Sequence, residues 1–230
     1  MNSVRTVSDT KRSFYSLHTR PVNSIFRRVV EELMVEMHLL AVHTDFRYDP
    51  FYALGVVTTF DRFMQGYRPE TDKESIFTAL CKAVESDPQH YRNDAQRLVA
   101  TASGAAWDSM LIPDKANDYR DALNTIASNP KFKYSRLFAV GLYTVLEATS
   151  PDVVKDTTKL NETFKQICQA LNLSEEKVQK DLDLYRSNLE KMTQMQAVMA
   201  DALAADRKKR EEREQAKTAD VSKDSATSES

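Results

Sequence analysis

Glycine is scarce in this chain, with four residues in 230, where an average composition of ~7% would supply about four times as many. Folds built from strands and tight turns consume glycine, so the scarcity argues against a β architecture. Cysteine is scarce as well. Cys81 and Cys168 lie far apart among apolar residues at helical spacing, and read as small buried hydrophobes of a reducing compartment. A disulfide between them stays open, but the paired spacing of a zinc site is missing and the four histidines are scattered. No window offers the roughly 20 apolar residues that a bilayer requires. The greasiest one, after Asp49, is interrupted by Asp61, Arg62 and Gln65. Residues 1–9 are too short for a signal peptide, and Asp9, Lys11 and Arg12 precede no apolar core, so the chain is expected to begin in the cytosol and stay on that side of any membrane. An excess of one charge is also lacking: a net charge of −2 and a pI near 6.1 exclude the basic surplus of a dedicated nucleic-acid binder.

What is present is helical. Hydrophobic residues make up 41% of the chain, enough to bury a real core. After Pro21, which is read as a helix start, Val22, Ile25, Phe26, Val29, Val30, Leu33, Met34, Met37 and Leu40 recur at three- and four-residue steps. Arg27 precedes Glu31 by four residues and Arg28 precedes Glu32, pairs that belong to a solvated face. Asp49-Pro50, Asp87-Pro88 and Ser150-Pro151 combine a short acceptor side chain with a proline at the first helical position. The helix after Asp49 is apolar nearly all round and should be the central buried one, ending at Gly66 in a left-handed conformation. Gly55 inside it and Gly141 inside a second greasy helix, residues 134–148, suggest two helices that cross at their glycines. Further helices are expected over residues 70–86, 88–103, 114–128 and 153–171, and residues 105–112, with Trp107 in a packing role, read as either a helix or an extension of the one before.

Ser174 can cap the last helix. From there Val178, Leu182, Tyr185, Leu189, Met192, Gln196, Met199 and Leu203 alternate steps of four and three, a heptad seam that either folds back on the domain or meets a partner helix. Beyond Asp206 the pairs Arg207/Glu211, Lys208/Glu212 and Arg210/Glu214 can sustain an exposed helix, an interaction tail being the competing reading, and the segment from Thr218 lacks the apolar content to fold. The expected architecture is therefore all-α: a single globular helical domain over residues 1–173, a long C-terminal helix with coiled-coil-like heptads over 174–215, and a disordered tail over 216–230.

Catalytic patterns are not found. A glycine-rich phosphate loop, a G-x-S-x-G elbow and an H-E-x-x-H pair are all missing. Glu32 and Glu36 share a helix face, but no Glu-x-x-His accompanies them as a di-metal site requires, and His38 stands alone as a partly exposed or hydrogen-bonded residue. No enzyme activity and no cofactor are expected. Polar and aromatic residues instead gather at element ends: His18 and Arg20, then Asp45, Phe46, Arg47 and Tyr48, then Arg62, Tyr67 and Arg68. Arginine and tyrosine in loops on a rigid scaffold suit partner binding, so Arg47, Tyr48, Arg62, Tyr67 and Arg68 are the candidate partner-binding residues; the competing role is to cap and staple helices.

The blocks TVSDTKRSFYSLHTRPVNSIFRRVVEELMVEMHLL and FRYDPFYALGVVTTFDRFMQGYRPE, with the DKESIF that follows, resemble the thylakoid-formation protein family, also described as a photosystem II biogenesis factor. The similarity extends more loosely to about Leu171. It implies an all-helical, non-enzymatic accessory or scaffold protein in thylakoid membrane biogenesis and photosystem II assembly or repair. It further implies association with the membrane FtsH protease complex, whose accumulation the family supports, and contact with photosystem II components or assembly intermediates. Plant members carry a plastid transit peptide that this sequence does not show, which implies a prokaryotic type, peripheral on the cytosolic face of the thylakoid membrane. A helical carrier of pigment or lipid during photosynthetic membrane assembly is the alternative.

Overall fold

In a computed structural model the chain is described over residues 5–102 and 118–227, and these residues form helices and their connections, with no strand among them. The helices are α1 (Val7–Leu17), α2 (Ser24–Ala41), α3 (Pro50–Phe63), α4 (Thr71–Ala83), α5 (Pro88–Ala102), α6 (Asp118–Ala127), α7 (Arg136–Thr149), α8 (Pro151–Lys155), α9 (Thr157–Leu171) and α10 (Glu175–Thr227). Gly104, the helix or extension expected over 105–112 with Trp107, and the start of the helix expected at 114 lie outside the described residues.

The lead-in before α2 is itself a helix. Thr6 and Asp9 form a capping box, the Thr6 hydroxyl accepting from the Asp9 N–H while the Asp9 carboxylate accepts from the Thr6 N–H. Pro21 does not open α2. Asn23 caps it by accepting from the Ile25 N–H, and Val22 is buried just outside the helix rather than on its stripe. Asp49 caps α3 as expected, accepting from the Tyr52 N–H at 2.9 Å with Pro50 in the first turn. The helix expected over 153–171 is two: Asp156 intervenes as a second cap, accepting from the Thr158 and Lys159 N–H groups, because an aspartate side chain competes for the backbone better than it continues a helix.

α3 and α7 form the centre. A Cβ on Gly55 would overlap the Leu137 carbonyl oxygen, and one on Gly141 would overlap that of Phe51, so each glycine lets the opposite backbone approach. The pairing of 55 with 137 and 51 with 141 makes the two helices antiparallel, and all of Phe51, Val56, Leu137, Val140 and Val145 are fully covered. Left-handed positions after helices are taken by Gly66 at φ 75° and, in a chain so poor in glycine, also by Glu85 at φ 61° and Asn172 at φ 56°.

Two compact units emerge, Met1–Arg186 and Ser187–Ser230. The start of α10 belongs to the first. Val178, Leu182 and Tyr185 are buried there, so the seam folds back over its first half. The second unit is the continuation of α10, helical through Thr227 and so past position 215, where the sequence suggested an end. The local reason is that no proline or glycine follows Ser174, and a helix satisfies its backbone hydrogen bonds without an apolar face.

Candidate functional site

α3 is central and carries the candidate residues at its two ends, which fourteen residues separate by about 20 Å. Arg47 and Tyr48 precede it; Arg62 closes it, and Tyr67 and Arg68 follow. These five residues therefore form two sites rather than one.

At the first site Arg47 is exposed, and its guanidinium donates to the carbonyls of Thr44 and Phe46, both at 2.7 Å, tightening the connection between α2 and α3. Tyr48 turns inward. Its hydroxyl donates to Asp94 of α5 at 2.9 Å, and its ring stacks on His90 with centroids 4.9 Å apart. Edge-on contacts to Tyr91 and Tyr52 complete an aromatic corner. Asp94 is buried and satisfied from several directions: Arg97 donates at 2.6 Å and His90 Nε2 lies 3.3 Å away. Burial, reinforced by the Asp94 carboxylate, pushes the Tyr48 hydroxyl far above the usual phenol range and keeps it a donor. Burial likewise raises the Asp49 carboxyl, to about 7, although the Tyr52 and Phe51 N–H groups oppose it.

At the second site Arg62 is half-buried. It pairs with Glu147 of α7 at 2.5 Å and donates to the Tyr185 hydroxyl of α10 at 3.3 Å, so one guanidinium ties three helices. Tyr67 is buried, with its ring edge-on to Phe26 at 5.1 Å, and offers no side-chain surface to a partner. Arg68, before a cis bond to Pro69, is exposed. Arg20 reaches the buried Asp72 at 2.6 Å as an ion pair without hydrogen-bond alignment at Oδ1.

Sequence reasoning missed the partners. Asp94, His90, Glu147, Asp181 and Tyr185 turn candidate residues and Tyr134 into cross-links; of these His90 and Asp94, four apart on one helix, and Tyr185, on the heptad seam, left a local signal. The acidic pair on α2 divides: Glu32 meets Arg28 at 2.7 Å, whereas Glu36 pairs with Arg136 of α7 at 2.6 Å in a site dry enough that burial still raises its carboxyl. Glu31 is taken by Lys11 and Tyr15 of α1 instead of by Arg27. His38 is hydrogen-bonded, to Thr10. Both cysteines are buried free thiols, raised by burial to about 12 at Cys81 and about 11 at Cys168, which makes them inert at neutral pH. Among the described residues no cluster of three or more His, Cys, Asp or Glu could hold a metal ion.

A family model described as "Thylakoid formation protein" matches residues 6–214. Protein Thf1 of Nostoc punctiforme is 60% identical over 228 residues, covering 96% of this chain and 97% of that protein. Protein Thf1 of Trichormus variabilis is 63% identical over 222 residues, with 94% and 95% covered. A solved structure of Psb29 superposes with a TM-score of 0.79 at 47% identity, covering 90% of this chain and 98% of that one.

Proposed function

Because the chain belongs to the thylakoid formation protein family, we propose that it is a non-enzymatic accessory and scaffold protein in thylakoid formation and in photosystem II assembly or repair. In this reading it sits peripherally on the cytosolic face of the thylakoid membrane, associates with the FtsH protease complex and stabilises it beside photosystem II components or assembly intermediates. The observation that carries the reading is the extent of the match, which runs from residue 6 to residue 214 and meets relatives over nearly their full length. Attachment is assigned to surface contacts, and no described helix is long and apolar enough to cross a membrane.

Of the five candidate residues, Arg47 and Arg68 are the exposed ones and are proposed to touch a partner, while Tyr48 and Arg62 hold the scaffold that presents them. The seam through Gln196, Met199 and Leu203, beyond the already buried Met192, is proposed as a coiled-coil surface. The test is co-isolation from gently solubilised thylakoids of the native host, with tagged full-length chain, a chain ending at Arg186, and the variants R47E and R68E. Recovery of the protease with full-length protein alone assigns the contact to the second unit. Loss with R47E or R68E at unchanged thermal stability assigns it to the corresponding end of α3. Recovery with none of the four removes the protease from the reading.

A further inference from the structure

α1 is tied to its neighbours through two buried histidines, one near each end. Thr10, fully buried on α1, meets Nδ1 of the buried His38 of α2 at 2.8 Å. Eight residues on, about 12 Å along the helix, His18 is 2% exposed and its Nδ1 lies 2.9 Å from the Ser75 hydroxyl of α4. Its Nε2 is buried without a hydrogen-bond partner. Between the two ties Phe14 is wholly covered. α1 also meets α2 where Lys11 and Tyr15 donate to Glu31, the first contact partly buried and the second exposed, whereas Arg12 and Asp9 pair at the surface within α1 itself, where such pairs contribute little.

We propose that α1 is a pH-sensitive strap: neutral imidazoles at His18 and His38 hold it against α2 and α4, and protonating them releases it and uncovers the site that Phe14 fills.

The charges around each ring decide the direction. His18 faces Asp72 of α4, already paired with Arg20, and Arg20 itself; His38 faces Asp9 of α1 and Arg5, which pairs with Glu85 beyond α4. In both cases burial is the leading influence and holds the imidazole below its ordinary value of 6.5; Asp72 and Asp9 pull the other way, Arg20 and Arg5 with burial. A released α1 exposes both rings, which then take protons that the docked state refuses. The docked state is thus fully favoured above pH 6.5 and loses ground as pH falls below it. The open-to-docked ratio rises by up to about tenfold per histidine for each pH unit, until the docked rings titrate as well.

The experiment is amide hydrogen exchange on the full chain at pH 7.5 and 5.5, corrected for intrinsic rates, with α3 and α7 amides as internal reference. Protection over Val7–Leu17 is expected to fall at least tenfold more than in the reference helices, and the excess to vanish in the H18Q/H38Q double variant. An unchanged α1 at pH 5.5, or the same excess loss in the double variant, overturns the proposal. Imidazole proton shifts of the wild-type chain provide the second measurement, independent of whether that variant folds. His18 and His38 must titrate at the midpoint of the α1 loss, and their titration with α1 still protected overturns the strap.

Discussion

Asp49 answers two opposing demands on one side chain. Its carboxylate caps α3, which calls for a charge or a dipole at the helix start, yet it stands where burial raises it to about 7 from an ordinary 3.8. The native chain therefore binds a proton that the unfolded chain does not between those two values, and this contribution to stability, full below pH 3.8, is lost as pH rises through about 7. Asparagine accepts the same Tyr52 N–H without a charge to desolvate. Urea unfolding of D49N between pH 4 and 8 is expected to lack that part of the decline and to match or exceed wild type at pH 8, while D49A falls by about 1 kcal/mol for loss of the cap. A decline of equal size in D49N would show that the carboxyl does not titrate in this window. Arg62 and Tyr67 illustrate a different residue-level lesson. Both looked like residues at an element end free for recognition, yet the half-buried Arg62 and the buried Tyr67 are committed to partners 85 and 44 positions away, Glu147 and Asn23.

Among the elements, the α3/α7 pair decides the architecture. Two glycines at reciprocal positions bring the backbones together, a use of glycine that runs against helix propensity by about 1 kcal/mol per residue. If propensity governed, G55A would stabilise the chain. The overlap of the new methyl with the Leu137 carbonyl, a backbone atom that cannot rotate away, predicts the reverse: a net loss of about 3 kcal/mol or more in denaturant midpoint measurements, because overpacking a rigid contact exceeds the propensity gain. A neutral or stabilising G55A would mean that α3 and α7 can separate freely. The crossing could be suspected from the sequence because Gly55 and Gly141 are half of all its glycines and both interrupt strongly apolar helical stripes. Their antiparallel register could not, since nothing local encodes which residue of the other helix faces each gap.

For the whole molecule the relevant boundary is inside α10, not before it. Residues 175–186 bring Val178, Leu182 and Tyr185 into the first unit, and Tyr134 and Arg62 bind Asp181 and Tyr185 there. Fully burying such side chains stabilises by about 1.5–3 kcal/mol each, a large share of the roughly 5–15 kcal/mol that separates folded from unfolded domains. A chain ending at Leu173 is thus expected to unfold at markedly lower denaturant concentration, or to aggregate, whereas one ending at Arg186 keeps a cooperative transition. Equal midpoints for the two would make the start of α10 dispensable to the core. The same bookkeeping explains why a truncation meant to test partner binding should stop after Arg186: a shorter one confounds lost contact with lost fold.

The sequence alone determined what depends on near neighbours. Helix class followed from glycine scarcity and three- and four-residue apolar steps, the start of α3 from Asp49-Pro50 and the left-handed φ of Gly66 from its residue type, although α3 itself already ends at Phe63 with Met64 as its cap; these are consequences of interactions within a few residues along the chain, and two long specific blocks carried the family. Tertiary structure decided what depends on distant ones. It selected Glu147 for Arg62, Asp94 for Tyr48, Arg136 for Glu36 and Thr10 for His38, and in doing so divided five candidate surface residues into exposed arginines and interior ties. The physical reason is that a charge or hydroxyl has the same local preferences whether it ends in water or in a core. Only the packing of helices far apart in sequence sets the desolvation cost and supplies the partner that offsets it.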